Sequence, residues 1–106
     1  MSSLRNTVRL TGNVTGIPIF KKLDNGSKLV SLALDITEDY KSSNDEKKKN
    51  TNTVNLIAWN DKADFIVSRV NKGSYIAIDG RIKTRLFKDN TVTEVHIDEV
   101  LLLNKI

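Results

Sequence analysis

Apolar residues recur at every second position through most of the chain, the spacing of half-buried β-strands. In "NTVRLTGN" (6–13), Val8 and Leu10 face one way while Thr7, Arg9 and Thr11 face the other. "KLVSLALDIT" (28–37) sets Val30, Leu32, Leu34 and Ile36 on one face. "TVNLIAWN" (53–60) sets Val54, Leu56 and Ala58 opposite Thr53, Asn55, Ile57 and Trp59. Between the first two segments, Asn25-Gly26 signals a hairpin turn, because both residues tolerate positive φ. One stretch changes period. "NDKADFIVSRVNKG" (60–73) carries Ala63, Ile66, Val67 and Val70 at helical spacing, with Asn60 or Asp61 as N-cap and Gly73 as the stop. That pattern predicts a helix of roughly three turns. Strands return in "SYIAIDGRIKTRLF" (74–87), turn at "KDN" and finish in "TVTEVHIDEVLLLN" (91–104). Gly80, in mid-strand, predicts a bulge or sharp bend. Residues 38–52, "EDYKSSNDEKKKNTN", are polar without periodicity and read as a long, mobile loop.

The element order is two or three strands, one short helix, then two strands; taken as five strands with the helix between the third and fourth, it predicts an all-β protein. That is the layout of the OB-fold, a small Greek-key barrel. With 106 residues and no internal repeat or linker, residues 1–106 read as a single domain able to bury one modest core.

Composition narrows the chemistry. Seventeen Lys and Arg against 13 Asp and Glu leave a formal net charge of +4, a weak pointer to a polyanionic partner. No cysteine means no disulfide and no thiolate metal site, and a single histidine excludes any His-pair metal site. No catalytic residue, metal ligand or cofactor site is expected, since His96 has no second ligand or nucleophile beside it. It shares a strand face with Glu94 and Asp98 and reads as an ordinary surface residue. The longest apolar run, Val100–Leu103, is too short for a bilayer, and the N-terminus shows no signal region, so a cytoplasmic protein is expected.

The candidate site lies in "GRIKTRLFKDNTV" (80–92). Arg81, Lys83, Arg85 and Phe87 share one strand face, and Ile82, Thr84 and Leu86 share the other, expected to fill the barrel. A charged outward row can be a solvated face that only resists edge pairing. Other positions favour more. Trp59 lies on the outer side of its strand, Tyr40 opens the polar segment with Lys47, Lys48 and Lys49 inside it, and Arg5, Thr7 and Arg9 form a further outward row. Cations interleaved with rings suit single-stranded nucleic acid, whose phosphates follow charge and whose unpaired bases stack on rings for about 1–3 kcal/mol each. Duplex DNA offers no exposed base faces. Each assignment has a structural alternative: Trp59 at a subunit contact, Tyr40 as an anchor for its loop, Lys47–Lys49 as a solvated run. Phe20, Phe65 and Tyr75 read as packing residues, and apolar residues on both faces of "EVLLL" hint at burial against a partner subunit.

These residues carry a resemblance. "KGSYIAIDGRIKTR" (72–85) is similar to the Lys-Gly-Ser, Asp/Glu-Gly, Thr-Arg signature of bacterial single-stranded DNA-binding proteins. The similarity extends to "TGN" (11–13), Pro18 followed by Asn25-Gly26, "TEDY" (37–40) and "NLIAWNDKAD" (55–64), covering residues 4–103. It implies an OB barrel, assembled as a homotetramer or a dimer, that wraps single-stranded DNA without sequence preference. By the same resemblance, Tyr40 and Phe87 fall where the family has a stacking tryptophan, and Trp59 where it has a stacking phenylalanine. Lys72, Lys83 and Arg85 match basic positions near the DNA. Thr53 and Asn55 depart, replacing a stacking tryptophan and an arginine. Family members usually continue into an acidic tip that recruits replication proteins; this sequence reads to "LLLNKI" without one, as a trimmed chain or a phage, plasmid or mobile-element version would.

The expected function is therefore sequence-independent single-stranded DNA binding in replication, recombination and repair. A primosome-type OB module acting mainly through protein partners is the alternative, since fold alone does not separate the two. An RNA-binding OB domain is a third reading. A nuclease is disfavoured for want of clustered carboxylates.

Overall fold

A computed structural model describes residues 5–103. Its elements run β1 (Val8–Lys22), β2 (Lys28–Lys41), β3 (Lys47–Trp59), α1 (Asp61–Arg69), β4 (Tyr75–Phe87) and β5 (Asn90–Leu103). The strands close into a barrel in the order β1-β2-β3-β5-β4, with the one helix between β3 and β4, as an OB-fold requires. Residues 104–106, the end of the sequence in which no acidic tip was read, lie outside the described residues.

The period-2 faces become the interior. Val14, Val30, Leu32, Leu34, Leu56, Ala58, Ile76, Ile78, Val95 and Ile97 are buried together, and Ala63, Ile66 and Val70 of the helical segment plug one end. Each fully buried Leu or Ile contributes about 1.5–3 kcal/mol, so this cluster is what holds the barrel shut. Closure needs a short parallel contact, Leu56 opposite Val95 and Ile57 opposite His96, while every other pairing is antiparallel.

β1 serves two neighbours. Val8–Asn13 pair with β4, Asn13–Lys22 pair with β2, and the strand bends between Thr15 and Ile19, beside Gly16 at φ 79°. At the end of that strand the turn at Asn25-Gly26 forms as expected, with Gly26 alone of the pair at positive φ (90°). The expected irregularity at Gly80 is present as a register shift between Asp79 and Gly80. A Cβ on Gly80 would collide with the His96 carbonyl, so the two backbones approach closely only because the side chain is absent.

Three expectations fail. The helix is shorter than three turns, because Val70 already has extended backbone (φ −107°, ψ 129°) and Gly73 lies in the turn beyond. Residues 38–52 are not a loop: Ile36–Lys41 pair in register with Lys47–Asn52, and only Ser42–Glu46 turn. A two-stranded ribbon with solvent on both faces needs its backbone ladder but no alternation of side chains, so the pattern was silent there. Ile82, Thr84 and Leu86 do not fill the barrel; all are exposed, because beyond Gly80 the β4–β5 hairpin leaves the barrel as a second ribbon. The two arms stretch the molecule to 55 Å along its longest axis.

Candidate nucleic-acid interface

Five side chains from three strands join on the outer surface of β3, β5 and β4. Phe87, near the tip of the β4–β5 arm, lies beneath the guanidinium of Arg85 (5.6 Å from its centroid) and beside the ammonium of Lys88 (5.3 Å). Arg85 forms a two-pronged pair with Glu94, Nε donating to Oε1 at 3.1 Å and Nη2 to Oε2 at 3.0 Å. Glu94 faces His96 Nε2 at 3.6 Å. The Trp59 indole donates from Nε1 to His96 Nδ1 at 3.2 Å, the two rings stacking at 30° with centroids 6.4 Å apart. A continuous line thus runs from Phe87 to Trp59.

Local sequence explains the positions. The two-residue turn Lys88-Asp89 takes positive φ at both residues (50° and 65°), the hairpin geometry that matches strand twist, and this sets Phe87 opposite Asn90. Trp59 ends β3 because Asn60 turns the chain: its N–H donates to Lys28 O at 2.9 Å and its Oδ1 accepts from Lys28 N at 3.0 Å. The Asn60 side chain is therefore spent on β2 and does not cap the helix.

Beside this line lies a groove of about 550 Å3, lined in part by Ile17, Ile19, Ala33, Ile57, Arg85 and Glu94. Ile57, although on the outer side with Trp59, is buried there. Ile17 and Ile19 are largely exposed at 79% and 67%, an apolar edge that sequence reading passed over because β1 changes register between Thr15 and Ile19.

The expected site residues divide. Trp59 (38% exposed) and Phe87 (51%) are open to solvent and belong to one surface. Arg81 and Lys83 continue the row on β4, Arg81 in an ion pair with Asp98 at 3.4 Å. Arg9 lies two positions further along, its Nε 4.0 Å from Asp79 Oδ1. Lys72 stands apart, in the turn after α1, on a second groove with Pro18, Phe20 and Val67 that shares only Ile17 with the first. The backbone of that turn is tied to β1 by Gly73 N–H to Val14 O and Val14 N–H to Ser74 O, both 2.8 Å. Tyr40 is half exposed, but strand alternation places it on the face of β2 opposite Ala33 and Asp35, away from the Trp59 side. Arg5 is exposed in the segment before β1. Thr53, at one departing position, donates its hydroxyl to Asp35 Oδ1 at 2.6 Å.

Two expectations need correction. Phe20 is about half exposed rather than packed in the core, because the bend in β1 turns it toward the helix side. His96 is not an ordinary surface residue: it is partly buried between Trp59 and Glu94, which strand spacing alone could not reveal since Trp59 comes from β3. Burial pushes the His96 pKa below its ordinary value of 6.5, against an opposing pull from Glu94. Glu94 is held below its ordinary 4.5, chiefly by the hydrogen bonds of Arg85. Asn6 was also overlooked; its amide exchanges two 2.9 Å hydrogen bonds with the backbone of Ile82 and so steadies the root of the β4–β5 arm. Among the described residues no group of three or more acidic or imidazole side chains could hold a metal, and no helix is long and apolar enough to cross a membrane.

A model of the Single-strand binding protein family matches residues 5–103. The chain belongs to that family. The family's members bind single strands and catalyse no reaction. A curated single-stranded DNA-binding protein of Rickettsia typhi is 34% identical over 106 residues, covering 98% of this chain and 70% of that relative. One of Halalkalibacterium halodurans is 28% identical over 96 residues, 91% of this chain and 56% of the relative. Among solved structures, that described as the Plasmodium falciparum SSB complex with ssDNA superposes with a TM-score of 0.84 at 24% identity, covering 98% of both chains. The wild-type single-stranded DNA binding protein of Thermus aquaticus gives 0.81 at 17% identity over 93% of this chain and 50% of that one. Both likenesses concern the fold.

Proposed function

We propose that this protein binds single-stranded DNA without sequence preference, stacking unpaired bases on Trp59 and Phe87 while Lys83 and Lys88 attract the phosphates between them. Such binding keeps exposed strands single during replication, recombination and repair. The observation that carries the reading is the line of contacts from Phe87 through Arg85, Glu94 and His96 to Trp59, which fixes two exposed rings on one surface beside an open groove. Rings that stack on any base, with cations between them, give affinity without readout of base edges.

The arginines play a different part from the one their spacing suggested. Arg81 and Arg85 are already matched by Asp98 and Glu94, so their first role is to brace the surface. Among the described residues Lys83 closes no ion pair, although Glu94 lies opposite it, which leaves its charge to the DNA.

The protein works as a homo-oligomer, a tetramer by preference. A separate groove of about 450 Å3 on the outer side of β1, β4 and β5 is lined by Thr11, Ala77 and Leu101 among others, and Leu101 is 61% exposed. Light scattering tests this: a monomer at micromolar concentration would overturn it.

Quenching of Trp59, the chain's single tryptophan, by oligo-dT tests the DNA reading. Strong quenching by oligo-dT, little by duplex DNA, and weaker competition by oligo-U are expected. Absence of quenching and of any gel shift at low salt would defeat it.

A further inference from the structure

We propose that His96 is a positioning residue for the Trp59 ring: its neutral imidazole holds the indole edge in place, and its protonation releases the ring and weakens single-strand binding. The inference rests on the DNA reading above only in its last clause.

The geometry defines the tautomer. An indole Nε1–H can only donate, so His96 Nδ1, 3.2 Å away, must present a lone pair. The ring proton then sits on Nε2, which faces the Glu94 carboxylate at 3.6 Å. Glu94 is itself held by both prongs of Arg85, so its oxygen cannot swing away without breaking that pair. An imidazolium has no acceptor left. Its new Nδ1–H would point at the indole N–H, and one of the two rings must turn. Trp59, at the end of its strand and 38% exposed, is the freer.

The charges facing His96 agree on which state prevails at neutral pH. On β5 Glu94 favours the cation; from β4 Lys83 and Arg81 disfavour it, with Arg81 partly offset by its pair with Asp98. Burial, the largest influence, also disfavours it, so protonation falls below pH 6.5. The unfolded chain then binds the proton more readily than the folded one, and folded stability is lost as pH falls from 6.5 through the folded value. Glu94 stays ionised over that range, being held below 4.5, so an effect between pH 7.5 and 5 belongs to the imidazole.

The test uses the full chain and its one indole resonance. In the free protein the 15N–1H signal of Trp59 should move with a midpoint below 6.5. His96→Gln, whose carbonyl can accept the same bond but cannot titrate, should keep the pH 7.5 shift and lose the transition. His96→Leu should lose both. For oligo-dT at fixed salt, wild type should weaken by about five- to tenfold, the lower range of one stacked base, as pH falls from 7.5 through the midpoint that the indole signal reports, and His96→Gln should not. An indole signal indifferent to His96, or a glutamine variant with the wild-type pH response, overturns the proposal. If no oligo-dT binds at any pH while the indole still follows His96, the DNA reading falls and the positioning of Trp59 stands.

Discussion

The two arms that leave the barrel are built alike and equipped differently. Each is an exposed antiparallel ribbon closed by a short turn. The β2–β3 arm sets four lysines (Lys41, Lys47, Lys48, Lys49) against four carboxylates (Glu38, Asp39, Asp45, Glu46), so its local charge cancels. Its one ring, Tyr40, sits opposite Lys48 on a ladder whose cross-strand side-chain contacts are modest, such as the 3.1 Å hydroxyl pair of Thr37 and Thr51. The β4–β5 arm keeps an excess of cations and is tied to the barrel by the Arg85–Glu94–His96–Trp59 chain. A lysine run in a sequence is therefore a poor guide to where positive potential lies. What matters is which carboxylates the fold lays beside it.

The roots of the arms provide the largest expected difference. Gly80→Ala drives a methyl into the His96 carbonyl and should cost about 1–3 kcal/mol, read as a lower urea midpoint. Asn52→Ala at the exposed root of the other arm should stay within about 0.5 kcal/mol. Equal losses would mean that the roots do not differ.

Ring removal comes next. Phe87→Ala should weaken oligo-dT binding by about 5- to 100-fold at every salt concentration, as loss of a stacked base does. Tyr40→Ala, on the opposite strand face from the groove, should cost about fivefold or less. A reversal of that order would move the binding surface to the β2–β3 arm.

Charge removal sharpens the contrast further. Lys83→Gln with Lys88→Gln should lower the log–log salt slope by about 1.4, two contacts at about 0.7 each. Replacing Lys47, Lys48 and Lys49 together should lower it by less than about 0.7, since carboxylates of the same arm already balance them. Fluorescence titrations between 50 and 200 mM salt, a range about as wide as such slopes need, would decide.

The smallest effect is on acid stability. Arg85 holds Glu94 below 4.5, so the stability of that pair is present above 4.5 and is lost as pH falls through the folded value. Urea midpoints of wild type should decline over that range more than those of Glu94→Gln. Parallel declines would show that the bracing of the β4–β5 arm adds nothing measurable.

Strand alternation was legible and correct wherever one face met the core, as in Val30, Leu32 and Leu34, and it either lapsed or misled where a strand had no core to meet. Residues 38–41 and 47–52 form a ladder with no apolar period, and Ile82 and Leu86 keep the period with no interior to fill. Phe87 and Trp59 were legible as outward rings; the residues linking them were not. Glu94 looked like one more outward charge, and His96 like its neighbour.

By itself the sequence determined the strand count, the helix, the bend at Gly80, the family, and the alternation that turns Trp59, Arg85 and Phe87 outward, because each depends on neighbours within a few residues or on a contiguous motif. Barrel closure decided the rest. Only when β5 lies against β3 as well as β4 does His96 meet Trp59, whereas Arg85 reaches Glu94 within the β4–β5 hairpin, and a contact between strands far apart in the chain leaves no period in the order of residues along one.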